Sequence, residues 1–132
     1  MRGLLCLALL AAGLVGLFAS GASAQGYSGN YAGTYTASRL PGQTLKIGIL
    51  FKQLNQHVMI ASYTTSSGVA GTCNGIVNGN VATMTCRNST PSCPGVYRDR
   101  YTFSGDMVTW IYTGRDCLGT ETGKGTATKL PF

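Results

Sequence analysis

The sequence predicts an all-β domain, an antiparallel eight-stranded meander closing into a small barrel and stapled by two disulfides, with an open β-sandwich as the alternative. Three observations carry this. From Gly33 onward no window keeps the apolar period of about 3.6 residues that a packed helix needs. Short runs of Thr, Val, Ile, Tyr and Phe are instead broken by Gly, Asn, Ser and Pro at intervals of about ten residues, the rhythm of short strands joined by tight turns. Four cysteines, Cys73, Cys86, Cys93 and Cys117, fall in this region, and an even count in a short exported chain reads as a disulfide framework.

The N-terminus has a different texture. Arg2 is followed by an apolar run from Leu4 to Phe18 and by Ala22-Ser23-Ala24 ahead of Gln25, the layout of a secretory signal peptide with a small-residue cleavage site. The run is shorter than the roughly 20 residues that span a bilayer. Residues 1–24 are therefore read as a signal peptide, 25–30 as a flexible lead-in of Gly, Ser and Tyr, and 31–132 as a single barrel domain. The expected destination is secreted or periplasmic, with no membrane span in the mature chain. Cys6 leaves with the signal, and so does Arg2, one of ten Lys and Arg set against four Asp and Glu. The remaining bases are dispersed, so a solvated basic surface accounts for them and no specific nucleic acid is indicated.

Strands are expected, in order, near 31–38, 44–53, 57–65, 69–77, 81–87, 96–104, 107–113 and 122–129. Their connections are too short for the crossover helices of a parallel sheet. Three hairpins can be registered from their turns. A two-residue turn at Asn55-Gln56 sets Phe51 opposite Ile60, Gln53 opposite Val58 and Ile49 opposite Ser62, which makes Ile47, Ile49, Phe51, Val58 and Ile60 one apolar core face. A turn at Gly79-Asn80, Gly-first as a type II′ loop prefers, pairs Val77 with Ala82, Gly75 with Met84 and Cys73 with Cys86. That places the two cysteines at a non-hydrogen-bonded pair, with Cα atoms about 4.5 Å apart. A turn at Gly105-Asp106 pairs Phe103 with Val108, Tyr101 with Trp110 and Asp99 with Tyr112, and brings Cys93 close to Cys117 at the hairpin base. Of the three connectivities that four cysteines allow, Cys73 to Cys86 with Cys93 to Cys117 is the one these registers favour.

An open meander would leave two unpaired edges. Closure removes them, and the repeated glycines permit the curvature it needs. The Gly33-Thr34-Tyr35 start, the eight-strand meander and a last strand ending Gly125-Thr126-Ala127-Thr128 resemble small secreted barrels of the avidin and lipocalin (calycin) kind. The resemblance implies a ligand-holding barrel over most of residues 31–130. It does not imply biotin binding, because Trp110 is the only tryptophan where avidins set several around their ligand. The longer loop, helix and lid elements of true lipocalins are absent too.

The aromatic face of the third hairpin is the strongest place for function. Tyr97, Asp99, Tyr101 and Phe103 alternate on one strand, facing Trp110 and Tyr112 on the next, and these six are the candidate ligand-binding residues. Such a face either fills a barrel or lines a cavity, where Tyr and Trp offer an apolar body with a polar handle. Asp99 is the anomaly, since a carboxylate among aromatics is costly unless paired or wet. A place at the mouth, hydrogen bonds from Tyr97 or Tyr112, a ligand, or a bulge turning it outward would each resolve it.

Other motifs point away from catalysis. His57 adjoins a turn and is remote in sequence from any carboxylate, and no carboxylate pair, Gly-x-Ser-x-Gly elbow or His-Glu-x-x-His element occurs. No cysteine spacing fits a zinc knuckle, so neither metal nor cofactor is called for. Asn88-Ser89-Thr90 matches a glycosylation sequon in the loop between the fifth and sixth strands. The expected function is an exported, non-catalytic binding protein whose barrel holds a small apolar or aromatic ligand. The alternative is a protein-interaction module, such as an inhibitor of an extracellular enzyme or a host-directed factor, acting through the cysteine-anchored loops 87–96 and 114–123.

Overall fold

The computed structural model describes residues 26–131. Eight antiparallel strands run in chain order around a closed barrel: β1 (Gly29–Ala37), β2 (Leu45–Gln53), β3 (Val58–Thr65), β4 (Ala70–Asn78), β5 (Val81–Asn88), β6 (Val96–Ser104), β7 (Met107–Asp116) and β8 (Gly119–Lys129). β8 pairs back onto β1, from Tyr31 opposite Lys129 to Ala37 opposite Gly123, so neither edge is left open. The sequence expectation of a closed eight-stranded meander holds, and the sandwich alternative falls. The signal peptide expected over 1–24 lies outside the described residues. Among the described residues no helix is long and apolar enough to cross a membrane.

Turn chemistry explains both the registers that came out as expected and the one that did not. Gly79 and Gly105 adopt φ of 61° and 58°, the left-handed region that two-residue hairpin turns demand and glycine tolerates. They set Cys73 opposite Cys86 and Tyr101 opposite Trp110, as predicted. Both disulfides form as predicted, Cys73 with Cys86 at a Cα separation of 4.0 Å and Cys93 with Cys117 at 5.1 Å.

The β2–β3 hairpin corrects the expected register by one residue. Asn55 Oδ1 accepts from the backbone N–H groups of His57 and Val58, and Leu54 N–H donates to Val58 C=O, which makes Asn55-Gln56-His57 a three-residue loop. Phe51 therefore faces Ala61 and Gln53 faces Met59. A one-residue slip exchanges the two faces of a strand. Met59 is buried at 0 % exposure, while Val58 and Ile60, expected in the core, stand outside at 36 % and 38 %.

The β7–β8 hairpin is longer than expected. Its ladder reaches Asp116 opposite Gly119, so most of the loop anticipated over 114–123 is paired strand around a turn at Cys117-Leu118.

Side chains fill the barrel unevenly. At the end carrying the β2–β3, β4–β5 and β6–β7 turns, Phe51 packs edge-on against Tyr31, Tyr101 and Phe103 with centroids 5.0 to 5.2 Å apart. Met59, Met84 and Val108 are fully buried in the same cluster. Tyr27, in the segment before β1, stacks on Phe103 at 4.3 Å, and its hydroxyl donates to Gly79 C=O at 3.2 Å. It stoppers this end.

Candidate functional site

The other end of the barrel is open. There the inward positions of β1, β3, β6 and β7 are Tyr35, Tyr63, Tyr97 and Tyr112, which wall a cavity of ≈ 190 Å³ floored by Tyr101 and Trp110. Tyr101 ties the two halves together, since its ring meets Phe51 below and lies 5.7 Å from Trp110. A larger groove of ≈ 510 Å³ crosses the outer wall over Thr109, Ile111, Lys124 and Thr126, but those side chains face solvent and enclose nothing.

Glycine makes the room. Tyr63 stands opposite Gly71, Tyr97 opposite Gly114, Trp110 opposite Gly125 and Tyr112 opposite Gly123. In each pair the aromatic ring lies over the glycine, so a Cβ there would overlap ring atoms. The rings lean along the wall instead of standing into the lumen, an arrangement in which an aromatic covers a cross-strand glycine. In the packed half the inward Gly75 is flanked by Met59 and Met84, which fill the lumen; here the rings lie back on the glycines and leave it open.

Polar groups in the cavity are few and connected. Asp99, 7 % exposed, accepts a 2.8 Å hydrogen bond at Oδ2 from the Tyr101 hydroxyl, while Oδ1 has no hydrogen-bond partner. Burial pushes its carboxyl up to about 6, only partly offset by that hydrogen bond. Nearer the rim, the Tyr112 hydroxyl donates to Glu121 Oε1 at 2.7 Å and Tyr97 to Asp116 Oδ2 at 3.3 Å. Arg39, from the β1–β2 loop, forks onto Asp116 with N···O of 2.8 Å, approaches Glu121 at 3.6 Å and donates to Gly119 C=O. Its guanidinium holds the Asp116 carboxyl below the usual range. Burial, reinforced by Asp116, raises Tyr97 to about 12, and burial likewise raises Tyr63, Tyr101 and Tyr112. All four hydroxyls stay protonated at neutral pH.

Five of the six residues singled out in the sequence, Tyr97, Asp99, Tyr101, Trp110 and Tyr112, line this cavity. Phe103 does not, and sits among Tyr27, Tyr31 and Phe51 in the packed half. Asp99 is inside without a bulge, and its donor is Tyr101 rather than Tyr97 or Tyr112, whose hydroxyls are taken by Asp116 and Glu121. Sequence reasoning missed Tyr63, whose inward face depends on the three-residue loop, and the rim carboxylates, because Asp116 and Glu121 were placed in a loop that is paired strand.

Of the remaining motifs, Asn88 borders the cavity and His57 does not. His57 is exposed in its turn. The Asn88 amide braces the β5–β6 loop, accepting from Gly95 N–H at 2.8 Å and donating to Cys93 C=O at 3.3 Å. Cys93, Asp116 and Cys117 lie close enough to suggest a metal cluster, but both sulfurs are tied in the disulfide and only a carboxylate is left.

Comparison with known proteins locates the fold. No protein-family model matches the chain, and no curated protein sequence matches it. Among solved structures, a redesigned β-barrel, mFAP1, bound to DFHBI superposes with a TM-score of 0.62 at 19% identity, covering 80% of this chain and 97% of that one. EF1p2_mFAP2b bound to DFHBI gives 0.67 at 17% identity over 81% and 96% of the two chains. The redesigned barrel mFAP0, also bound to DFHBI, gives 0.60 at 18% over 78% and 98%. At such identities the likeness is one of fold: this chain is built like those small β-barrels.

Proposed function

We propose that this is an exported, non-catalytic binding protein that holds a small aromatic or apolar ligand in the open half of its barrel. The carrying observation is the contrast between the two halves, one packed solid and the other lined by six aromatic rings around open volume. Concave, mostly apolar sites with a few convergent polar groups are what small-ligand sites are made of. The three similar barrels each bound to DFHBI support reading the interior as a ligand compartment. Two disulfides suit the oxidising compartment that the signal-peptide reading of residues 1–24 leads to.

Trp110 is the natural reporter, being the only tryptophan and part of the cavity floor. Titrating a panel of neutral aromatic compounds should change its emission saturably. Unchanged emission across the panel, with Trp110 shielded from an aqueous quencher, would count against the cavity. A second reading, docking of an extracellular protein, is favoured by Leu118, 77 % exposed at the β7–β8 turn and held by the adjoining Cys93–Cys117 bridge. A rigid loop lowers the entropy cost of binding. That reading predicts a partner whose affinity falls on Leu118→Asp while Trp110 emission stays silent.

A further inference from the structure

The cavity carries a charge opposite to that of the protein around it. The chain as a whole has a net charge of +6, yet three of its four acidic side chains, Asp99, Asp116 and Glu121, line the cavity, and among the described residues no Lys or Arg does. The one base at the rim, Arg39, is engaged by Asp116 and Glu121 and leaves the innermost carboxylate without a cation. Asp99 faces aromatic and neutral groups from every side: Tyr97 and Tyr101 on its own strand, Tyr112 opposite on β7, Met84 opposite on β5, and Tyr63 from β3. Its Oδ1 is buried and unpartnered. A carboxylate in that position costs folding free energy and invites a donor that the protein itself does not supply.

We propose that Asp99 is the anchor for a protonated amine, so that the ligand is a small organic ammonium whose N–H groups reach Asp99 Oδ1 and whose charge lies against the surrounding tyrosine rings. This rests on the cavity reading above and names the ligand class it would take. Two physical terms favour such a ligand over a neutral one of the same shape. A hydrogen bond between ammonium and carboxylate is charge-assisted and strong where water is scarce. Ring faces attract a cation, and several rings around one site form the kind of aromatic cage that binds ammonium groups. Asp99, with no cation beside it, repels an anionic analogue, which gives the site a built-in rejection as well as an attraction. Mild acid weakens the anchor, because a protonated Asp99 keeps its hydrogen-bonding atoms and loses its charge.

The test uses three probes that share a phenyl ring and differ in charge: 2-phenylethylamine, 2-phenylethanol and 3-phenylpropionate. Binding to the purified protein is followed by Trp110 emission and by calorimetry. At about pH 7.5 the amine should bind about tenfold or more tightly than the alcohol, and the carboxylate most weakly. Asp99→Asn should bring the amine's affinity down to that of the alcohol. Should that variant fail to fold, the wild-type protein gives the same information. At about pH 5, below the value of about 6 for Asp99, the amine's advantage should shrink about tenfold while the alcohol is unaffected. Equal affinities for amine and alcohol in the wild-type protein would overturn the anchor and leave the cavity reading standing. Silence from all three probes overturns the anchor, and silence from the neutral aromatic panel as well overturns the cavity.

Discussion

Asp99 concentrates the tension between stability and use. Its carboxyl is held at about 6 by burial, well above the ordinary value near 3.8. Between those values the folded state binds more protons than the unfolded one, so stability falls as pH rises through this window and levels off above it. The difference corresponds to about 3 kcal/mol as an upper figure, since each pH unit is worth about 1.4. Asp99→Asn should therefore raise stability at about pH 7.5 by roughly 1–3 kcal/mol and flatten the dependence between about pH 4 and pH 6. Denaturant unfolding of both proteins across that range checks it, and a variant less stable than the parent at neutral pH refutes it. The sequence exposed this residue as an anomaly because alternation placed it on an aromatic face. Its partner was not legible. Tyr101 lies two residues along the same strand, and whether its hydroxyl bends back to Asp99 or on to another strand depends on lumen space that no local pattern records.

At the scale of elements, the register was legible wherever glycine dictated the turn. Gly79-Asn80 and Gly105-Asp106 left one sensible hairpin each, whereas Asn55-Gln56-His57 contains no glycine and closes through an asparagine side chain instead. The resulting exchange of faces on β3 can be measured. Met59→Ala should cost about 2–5 kcal/mol and Ile60→Ala less than about 1, an order that the two-residue turn would reverse. Glycine has a second role on these strands, and two substitutions separate it from turn geometry. Gly125→Ala pushes a methyl into the Trp110 ring and should cost about 1–3 kcal/mol while shifting Trp110 emission. Gly105→Ala meets no atom within 4 Å and suffers only from its φ of 58°, so it should cost about 1 kcal/mol and leave emission unchanged. The glycines were legible as curvature, and the β6–β7 register already sets Tyr97 opposite Gly114, but the pairing of Tyr63, Trp110 and Tyr112 with glycines emerges only when β4 and β8 are set beside β3 and β7.

For the whole molecule, the division into a packed end and an open end separates the groups that hold the barrel together from those that face its lumen. Strand count and closure could be read from turn spacing and from the need to hide two edges. Which end stays hollow could not, because it depends on side-chain volume summed around eight strands. Tyr27 shows the consequence. It lies in the segment read from sequence as a lead-in to the barrel, yet its ring stacks on Phe103 and its carbonyl accepts the Tyr31 hydroxyl at 3.2 Å, on the side of the barrel away from Tyr97 and Tyr112. Tyr27→Ala should therefore cost about 1–3 kcal/mol and leave affinity for any lumen probe unchanged below the unfolding transition. Cutting the Cys93–Cys117 bridge with paired serines acts at the opposite end, where it joins the β5–β6 loop to the β7–β8 turn beside Asp116. In the chain-entropy picture that loss costs about 3 kcal/mol, similar to the tyrosine. It should also change probe affinity, because it frees the strand ends that position Tyr97 and Asp116. Two variants of similar stability, one altering binding and one not, are the signature of a two-ended barrel; equal effects on binding would mean that the lumen behaves as one compartment.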